Sequence, residues 1–429
     1  MASEFVFAHL ADAHVGAWPR DPAVRAALRQ SVLKAFETVE ARGAAFLLIS
    51  GDLFHTPVPD PGEVAPVAAA LKRLVDRGIR VYVIYGSHDY VAHRTSWLDV
   101  LAETGIFLRA APEAVQSEGQ RLTLPYLRDA GTGAVIAGIS GRSHGLDREY
   151  FRSLDSEAFR AEPGFKVFQF HAAVTEYLPE SLRAHIQGVG RSDLPGGCDY
   201  YAGGHIHVSY TGEGPEGGLL VNPGAVFGTS VTDLENGVRG KTHQGVVIVT
   251  VRNGVPGAEF VDTAPREAIA VVEVDVSGRT PEEARRLVAA EVVAHAAPGR
   301  LIFPRVRGTL SEGSSGTLGL RASEQAAEAR GAVAVHWDVR DIAPAPGETP
   351  LGEEQLETET FRELARTAPP ELAELTDAGG ERRIRELVRE LSLEATEGER
   401  RQDYLDARVK GSLAVLRVLR RPSSDPPGA

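Results

Sequence analysis

Phe46-Leu47-Leu48-Ile49-Ser50-Gly51-Asp52-Leu53-Phe54-His55 decides the fold. Its first, mostly apolar residues read as a buried strand that runs directly into Gly51-Asp52. An Asp at the tip of such a strand, after a Gly that lets the backbone turn, stands where open α/β sheets bind ligands. A carboxylate has two oxygens and can bridge two cations.

The same pattern recurs on either side. Phe5 to Leu10 reads as a first strand, delivering Asp12 and His14. These two reach one ion only if the strand has ended or twisted there. A helix follows, with Asp21 as N-cap, Pro22 at its first position, Leu28, Val32, Phe36 and Val39 on one face, and Gly43 closing it. A second helix runs from Asp60-Pro61 to Gly78, and Arg80 to Tyr85 forms the next strand, delivering Gly86-Ser87-His88-Asp89. Strand, site residue, helix, repeated, is an α/β alternation with chemistry at strand C-termini. Further strands end at His171 and at Gly203-Gly204-His205-Ile206-His207, and Gly245 to Val251 reads as the last strand of this region.

From Ala268 the texture changes. An alternating strand at 271–276, a helix opened by Thr280 and Glu283 as a capping box, and strands at 301–306 and 333–339 make a small α+β module without clustered ligand-type residues. Beyond the linker Ala343-Pro344-Ala345-Pro346-Gly347 the chain reads as helical and highly charged. Leu405, Val409, Leu413 and Leu416 form an apolar stripe there among Arg and Lys residues, fit for helix-in-groove docking or for packing on its own domain.

Composition bounds the reading. A chain of 429 residues calls for two or three domains, and 43% hydrophobic residues supply real cores. The single Cys198 excludes intramolecular disulfides and multi-thiolate metal sites. No apolar run approaches membrane-spanning length, and Met1-Ala2-Ser3-Glu4 lacks the basic region of a signal peptide, so a soluble, cytoplasmic location is expected. A formal net charge of -13 argues against coating nucleic acid by bulk charge, but bound cations can supply positive charge where phosphate sits.

The strand-end residues Asp12, His14, Asp52, His88, His171, His205 and His207 belong to the donor class that suits manganese, iron or zinc. Two divalent ions about 3.5–4 Å apart clamp the attacking and leaving oxygens in phosphoryl hydrolysis. A lone His is more often a surface or satisfied core residue, and His9, His93, His144, His185, His243, His295 and His336 are read so. The others stand apart by recurring in order, each after an apolar strand.

Asp12-Ala13-His14, Gly51-Asp52-Leu53-Phe54-His55, Gly86-Ser87-His88-Asp89, His171 and Gly204-His205-Ile206-His207 resemble the ordered motifs of calcineurin-like metallophosphoesterases. More narrowly, with Trp97 to Leu101, Asn222-Pro223-Gly224 and the appended module, the set resembles SbcD-type DNA-repair nucleases. The resemblance implies a four-layer α/β/β/α sandwich over 1–265, a DNA-capping α+β domain over 266–345 and a helical partner-docking segment over 346–421, and the tail over 422–429 reads as disordered from its composition. It implies one metal held by Asp12, His14 and His207 and a second by His171 and His205, with Asp52 bridging, while His88 assists the leaving group and Asp89 orients it. Where the family's third motif carries an Asn ligand, this chain has Ser87. Its shorter hydroxyl leaves either a weaker second site or a water in the amide's place.

The implied function is a Mn-dependent DNA exonuclease and endonuclease acting in repair at ends, gaps or hairpins. Its partners would be an SbcC-type ATPase and a second copy of the chain, at the nucleoid and without a membrane. Two rivals remain: a metallophosphoesterase on nucleotides or other small phosphodiesters, and a DNA-end scaffold weakened at Ser87.

Overall fold

Phe5–Leu10 pairs in parallel with Phe46–Ser50, and Phe46–Ser50 pairs in parallel with Arg80–Ile84. These form the middle of a six-stranded sheet whose order is Val255–Asp262, Gly245–Arg252, Phe5–Leu10, Phe46–Ser50, Arg80–Ile84, Leu108–Arg109. Side chains alternate across it, as strand geometry requires. Leu47, Ile49, Val81 and Val83 point to one face, where Leu28, Val32 and Phe36 of the Pro22–Ala41 helix and Val67, Leu71 and Leu74 of the Pro61–Asp76 helix cover them. Phe46, Leu48 and Tyr82 point to the other.

That inner face meets a second six-stranded sheet, ordered Tyr210–Glu213, Leu219–Asn222, Tyr200–Ala202, Lys166–Phe170, Val135–Ile139, Tyr126–Arg128. Phe7, Phe46, Leu48 and Tyr82 pack there with Ile136, Val167, Tyr200 and Val221. The outer face of the second sheet, through Val135, Phe168, Phe170 and Tyr201, is covered by Phe151 and Phe159 from the short helices Asp147–Arg152 and Glu157–Ala161. The layers are therefore helix, sheet, sheet, helix, as the resemblance implied.

The computed structural model describes residues 4–89, 95–111, 122–141, 147–183, 186–313, 318–343, 345, 380–391 and 407–412. Residues up to Ala343 form one unit and those from Pro344 a second. One sequence expectation is corrected. Gly245–Arg252 is not the last strand of the sandwich: the chain turns at Asn253 (φ 53) and Gly254 (φ 79) and returns antiparallel as Val255–Asp262. Asp21 stands at the N-cap position of its helix as expected, but its side chain makes no capping hydrogen bond and its carboxylate pairs instead with His336 Nδ1 at 2.9 Å.

After the sandwich, Ile269–Asp275, Leu301–Thr309, Ala334–Val335 and Asp338–Ala343 form a parallel four-stranded sheet. The Pro281–His295 helix, with its Thr280–Glu283 capping box, packs Val288 and Val292 against Val272, Val274, Ile302 and Val306 in a separate core. Ile269, Leu301 and Phe303 instead join Val231 and Leu234 in the core of the first sheet's helical face.

In the second unit, Gly380–Leu391 is helical, as are residues 407–412, and Arg408 Nη1 pairs with Glu390 Oε1 at 3.1 Å. Of the expected docking stripe, Val409 lies there, 58% exposed, while Leu405, Leu413, Leu416 and the tail 422–429 lie outside the described residues. So do His93, His144 and His185. Among the described residues no helix is long and apolar enough to cross a membrane.

Candidate metal centre

The strands Phe5–Leu10, Phe46–Ser50, Arg80–Ile84, Lys166–Phe170 and Tyr200–Ala202 all deliver their following residues to one end of the sandwich. The backbone then turns sharply. Asp12 (φ 51), His14 (φ 46), Asp52 (φ 53) and His205 (φ 93) all have positive φ, a strained setting for residues with a Cβ. Such strain persists only where surrounding contacts over-determine it, and it gathers at functional sites. Here the two turns hold each other: Asp12 N donates to Gly51 O at 3.1 Å and His14 N to Asp52 O at 2.9 Å. Gly51 (φ 87) cannot be replaced, because a Cβ there would run into the His171 ring and the Gly86 backbone.

Asp12, His14 and His207 present ligand atoms that all lie within 4.8 Å of one another, and so do Asp12, Asp52 and His171. His14 Nε2 stands 3.1 Å from His207 Nε2 and 3.7 Å from Asp52 Oδ2. The same Asp52 Oδ2 lies 3.2 Å from His171 Nε2. Adjacent ligands on one ion with bonds of about 2.1 Å stand roughly 3.0–3.4 Å apart, so both close pairs have the separation of neighbouring ligands.

The donor chemistry agrees. His171 Nδ1 donates to Ser50 O at 2.8 Å, so its Nε2 carries the lone pair, and that buried nitrogen finds no hydrogen-bond partner. A lone pair facing a carboxylate oxygen is stable only with a positive charge between them. Although burial opposes it, Asp52 raises the His171 imidazolium to about 10, the same preference expressed through a proton. His207 Nδ1 donates to Asp233 Oδ2 at 3.0 Å, which turns its Nε2 toward His14. Against burial, Asp233 raises His207 to about 9. Burial lifts the Asp12 carboxyl to about 6, the His171 and His207 charges opposing and the Asp52 charge adding. Burial lowers His205 to about 4, with the His171 charge adding. These residues fit divalent cations.

The remaining predicted residues take distinct places. Ser87 Oγ reaches Asp52 Oδ2 at 3.4 Å, so the hydroxyl stands beside the carboxylate expected to bridge. His88 is exposed; its main-chain N–H donates to Asp52 Oδ1 at 2.8 Å and its Nδ1 donates to His55 O at 2.9 Å. Asp89 is buried and accepts from the backbone of Leu53, Phe54 and Gly86, fastening the Asp52 turn to the His88 turn. His205 gives its main-chain N–H to Asp12 at 2.9 Å, and its ring lies against that of His171 with centroids 5.2 Å apart.

Three participants escaped the sequence reading. His55 lines the mouth, its ring stacked on His88 at 5.1 Å, and it could join His14 and His88 around an ion. Asp233 is written in the sequence as the N3 residue of a Ser230–Asp233 capping box, a signal for a helix start rather than for a histidine partner. The Ser50 carbonyl has no sequence signal. His9 is the satisfied core histidine expected of it, bonded to Tyr200 Oη, Ser50 Oγ and Gly203 O and lowered by burial to about 3.

Residues 5–209 match the family model of the calcineurin-like phosphoesterases, and this part of the chain is a calcineurin-like metallophosphoesterase domain. Among individual proteins, the chain is similar to the DNA double-strand break repair protein Mre11 of Methanopyrus kandleri, 26% identical over 293 residues, 66% of this chain and 62% of that protein. It is similar to the protein of the same name from Archaeoglobus fulgidus, 28% identical over 230 residues, 51% of this chain and 49% of that one. The uncharacterized metallophosphoesterase YhaO of Bacillus subtilis is 24% identical over 218 residues, 48% of this chain and 50% of that one. The chain thus matches less than two thirds of the length of each of these relatives.

Proposed function

We propose that this chain is a divalent-metal-dependent phosphodiesterase that cuts DNA at ends during repair, by exonuclease and endonuclease action. The observation that carries the reading is Asp52, whose Oδ2 stands within 3.7 Å of His14 Nε2 and 3.2 Å of His171 Nε2, between the two ligand groups. One ion would be held by Asp12, His14 and His207 and the other by His171, His205 and Ser87, with Asp52 available to both. The histidine and carboxylate donors suit manganese. When bound, the ions neutralise charge on a phosphodiester and make water a competent nucleophile at neutral pH.

The chain's own residues do the rest. Ser50 and Asp233 fix the tautomers of His171 and His207, so both present Nε2 inward. His88 must carry its Nδ1 proton, because the His55 carbonyl can only accept. Its Nε2 is then the nitrogen that exchanges a proton with a sugar oxygen. Similarity to the two archaeal break-repair proteins supports DNA as the substrate. By the resemblance to SbcD-type nucleases, an SbcC-type ATPase would dock through Leu405, Val409, Leu413 and Leu416, and two copies of the chain would pair. Residues 266–345 would cap the DNA path.

The test is cleavage of end-labelled single- and double-stranded DNA by the purified chain with Mn²⁺, beside a chromogenic phosphodiester. His88→Ala is expected to lower DNA cleavage by about 10²–10⁴-fold, the usual weight of a general acid. Hydrolysis of the small ester but never of DNA, even with the ATPase added, would favour the small-substrate reading. DNA binding without any turnover would favour the scaffold.

A further inference from the structure

Asp233 sits on the Val231–Val238 helix, which lies between the metal centre and the four-stranded sheet. At its N-terminal end Asp233 grips His207, and its Oδ2 also accepts from Thr229 N at 2.9 Å and Ser230 N at 3.1 Å. On the same helix, Thr232 and Glu235 turn toward the strand Leu301–Thr309 and meet Arg305. Arg305 Nη2 donates to Thr232 Oγ1 at 2.6 Å and Nη1 to Glu235 Oε2 at 2.5 Å. Its Nε donates to Asp338 Oδ2 at 3.3 Å, within its own sheet. Arg305 is only 7% exposed.

Burying a cation and two carboxylates is costly, and an apolar contact would hold two elements together as well. Ile269, Leu301 and Phe303 already supply that adhesion against Val231 and Leu234. What the planar, three-way fork adds is a fixed register between sheet and helix. Since the helix carries Asp233, a register error moves the partner of a metal ligand.

We propose that Arg305 is a positioning residue for the metal centre, acting through the Val231–Val238 helix and Asp233 on His207. The four-stranded sheet is thereby coupled to metal affinity. The inference rests on the metal-centre reading above. Changing a partner behind a metal ligand typically costs 10–100-fold in affinity, and Arg305, one step further back, should fall at or below the lower end of that range.

The experiment is Mn²⁺ titration of the full chain by electron paramagnetic resonance. The variants are Arg305→Met, Asp233→Asn, their double variant, and Val288→Ala, which loosens the core of the four-stranded sheet away from the helix. Arg305→Met is expected to weaken Mn²⁺ binding about 10-fold. Asp233→Asn should weaken it at least as much, and the double variant no more than Asp233→Asn alone. Arg305→Lys should recover part of the loss, and Val288→Ala should lower thermal stability without changing affinity. Unchanged affinity in Arg305→Met, losses that multiply in the double variant, or an equal loss in Val288→Ala would each overturn the coupling. If Arg305→Met does not fold, Thr232→Val, which removes one hydrogen bond and leaves the ion pair, reads the same link: weaker binding supports it and unchanged binding overturns it. Absence of Mn²⁺ binding in the unaltered chain would instead overturn the metal centre itself.

Discussion

At the scale of single residues the account turns on how few atoms share two ligand groups. Asp52 Oδ2 faces both His14 and His171, and Ser87 Oγ approaches that same oxygen at 3.4 Å. A hydroxyl is a weaker ligand than an amide oxygen, so Ser87→Asn should raise affinity for the second ion by about 10-fold, the lower end of the range seen for changes around a metal. Calorimetric Mn²⁺ titration checks this, and an unchanged second affinity would mean that another group already completes the site. Asp12, His14, Asp52, His171 and His207 were legible because each is a ligand-type residue at the end of an apolar run. The left-handed backbone at Asp12, His14, Asp52 and His205 was not, since neither Asp nor His requires positive φ. Nor was the grip of Asp233 on His207, because that carboxylate reads as an ordinary cap.

At the scale of elements, strand order brings the ligands together and buried polar clasps hold the strands in place. Asp129 shows the second point: it is fully buried, and accepts from Arg80 Nη2 at 3.1 Å, Tyr82 Oη at 2.9 Å and Thr132 N at 2.8 Å. It links the Arg80–Ile84 strand of one sheet to the turn before Val135–Ile139 of the other. Burial opposes its ionisation, but Arg80 and Thr132 outweigh burial and hold its carboxyl below the usual range. A depressed carboxyl contributes stability above its unfolded value of about 3.9 and loses it as pH falls through the folded value. Asp129→Asn should therefore cost about 2–3 kcal/mol at pH 7. The gap should narrow below about pH 4, as urea unfolding at both pH values would show; a gap independent of pH would contradict the assignment. The strands themselves were legible from apolar runs and flanking turns. The Val255–Asp262 strand went unread although Asn253-Gly254 is a strong hairpin signal, because its alternation is weak: Pro256, Gly257 and Glu259 interrupt it.

At the scale of the whole molecule, ions bound only by the native fold should stabilise it. Saturation at about 100 times the dissociation constant adds about 2.7 kcal/mol per ion. Chelation should accordingly lower the melting temperature by several degrees, restored by Mn²⁺, and a melting temperature indifferent to chelation would count against resident ions. The α/β alternation made the sandwich legible, and the change of texture near Ala268 marked where the four-stranded sheet begins. How that sheet reaches back to the metal centre was not legible, because Arg305 lies far in sequence from Thr232 and Glu235 and all three are of ordinary type. The central claim is that one carboxylate joins two ions. It is tested most directly by electron paramagnetic resonance of the chain loaded with Mn²⁺, beside Asp52→Asn. The account predicts two Mn²⁺ per chain with the exchange-coupled signal of a bridged pair, lost in Asp52→Asn. A single uncoupled ion, or a coupled pair that survives Asp52→Asn, would contradict it.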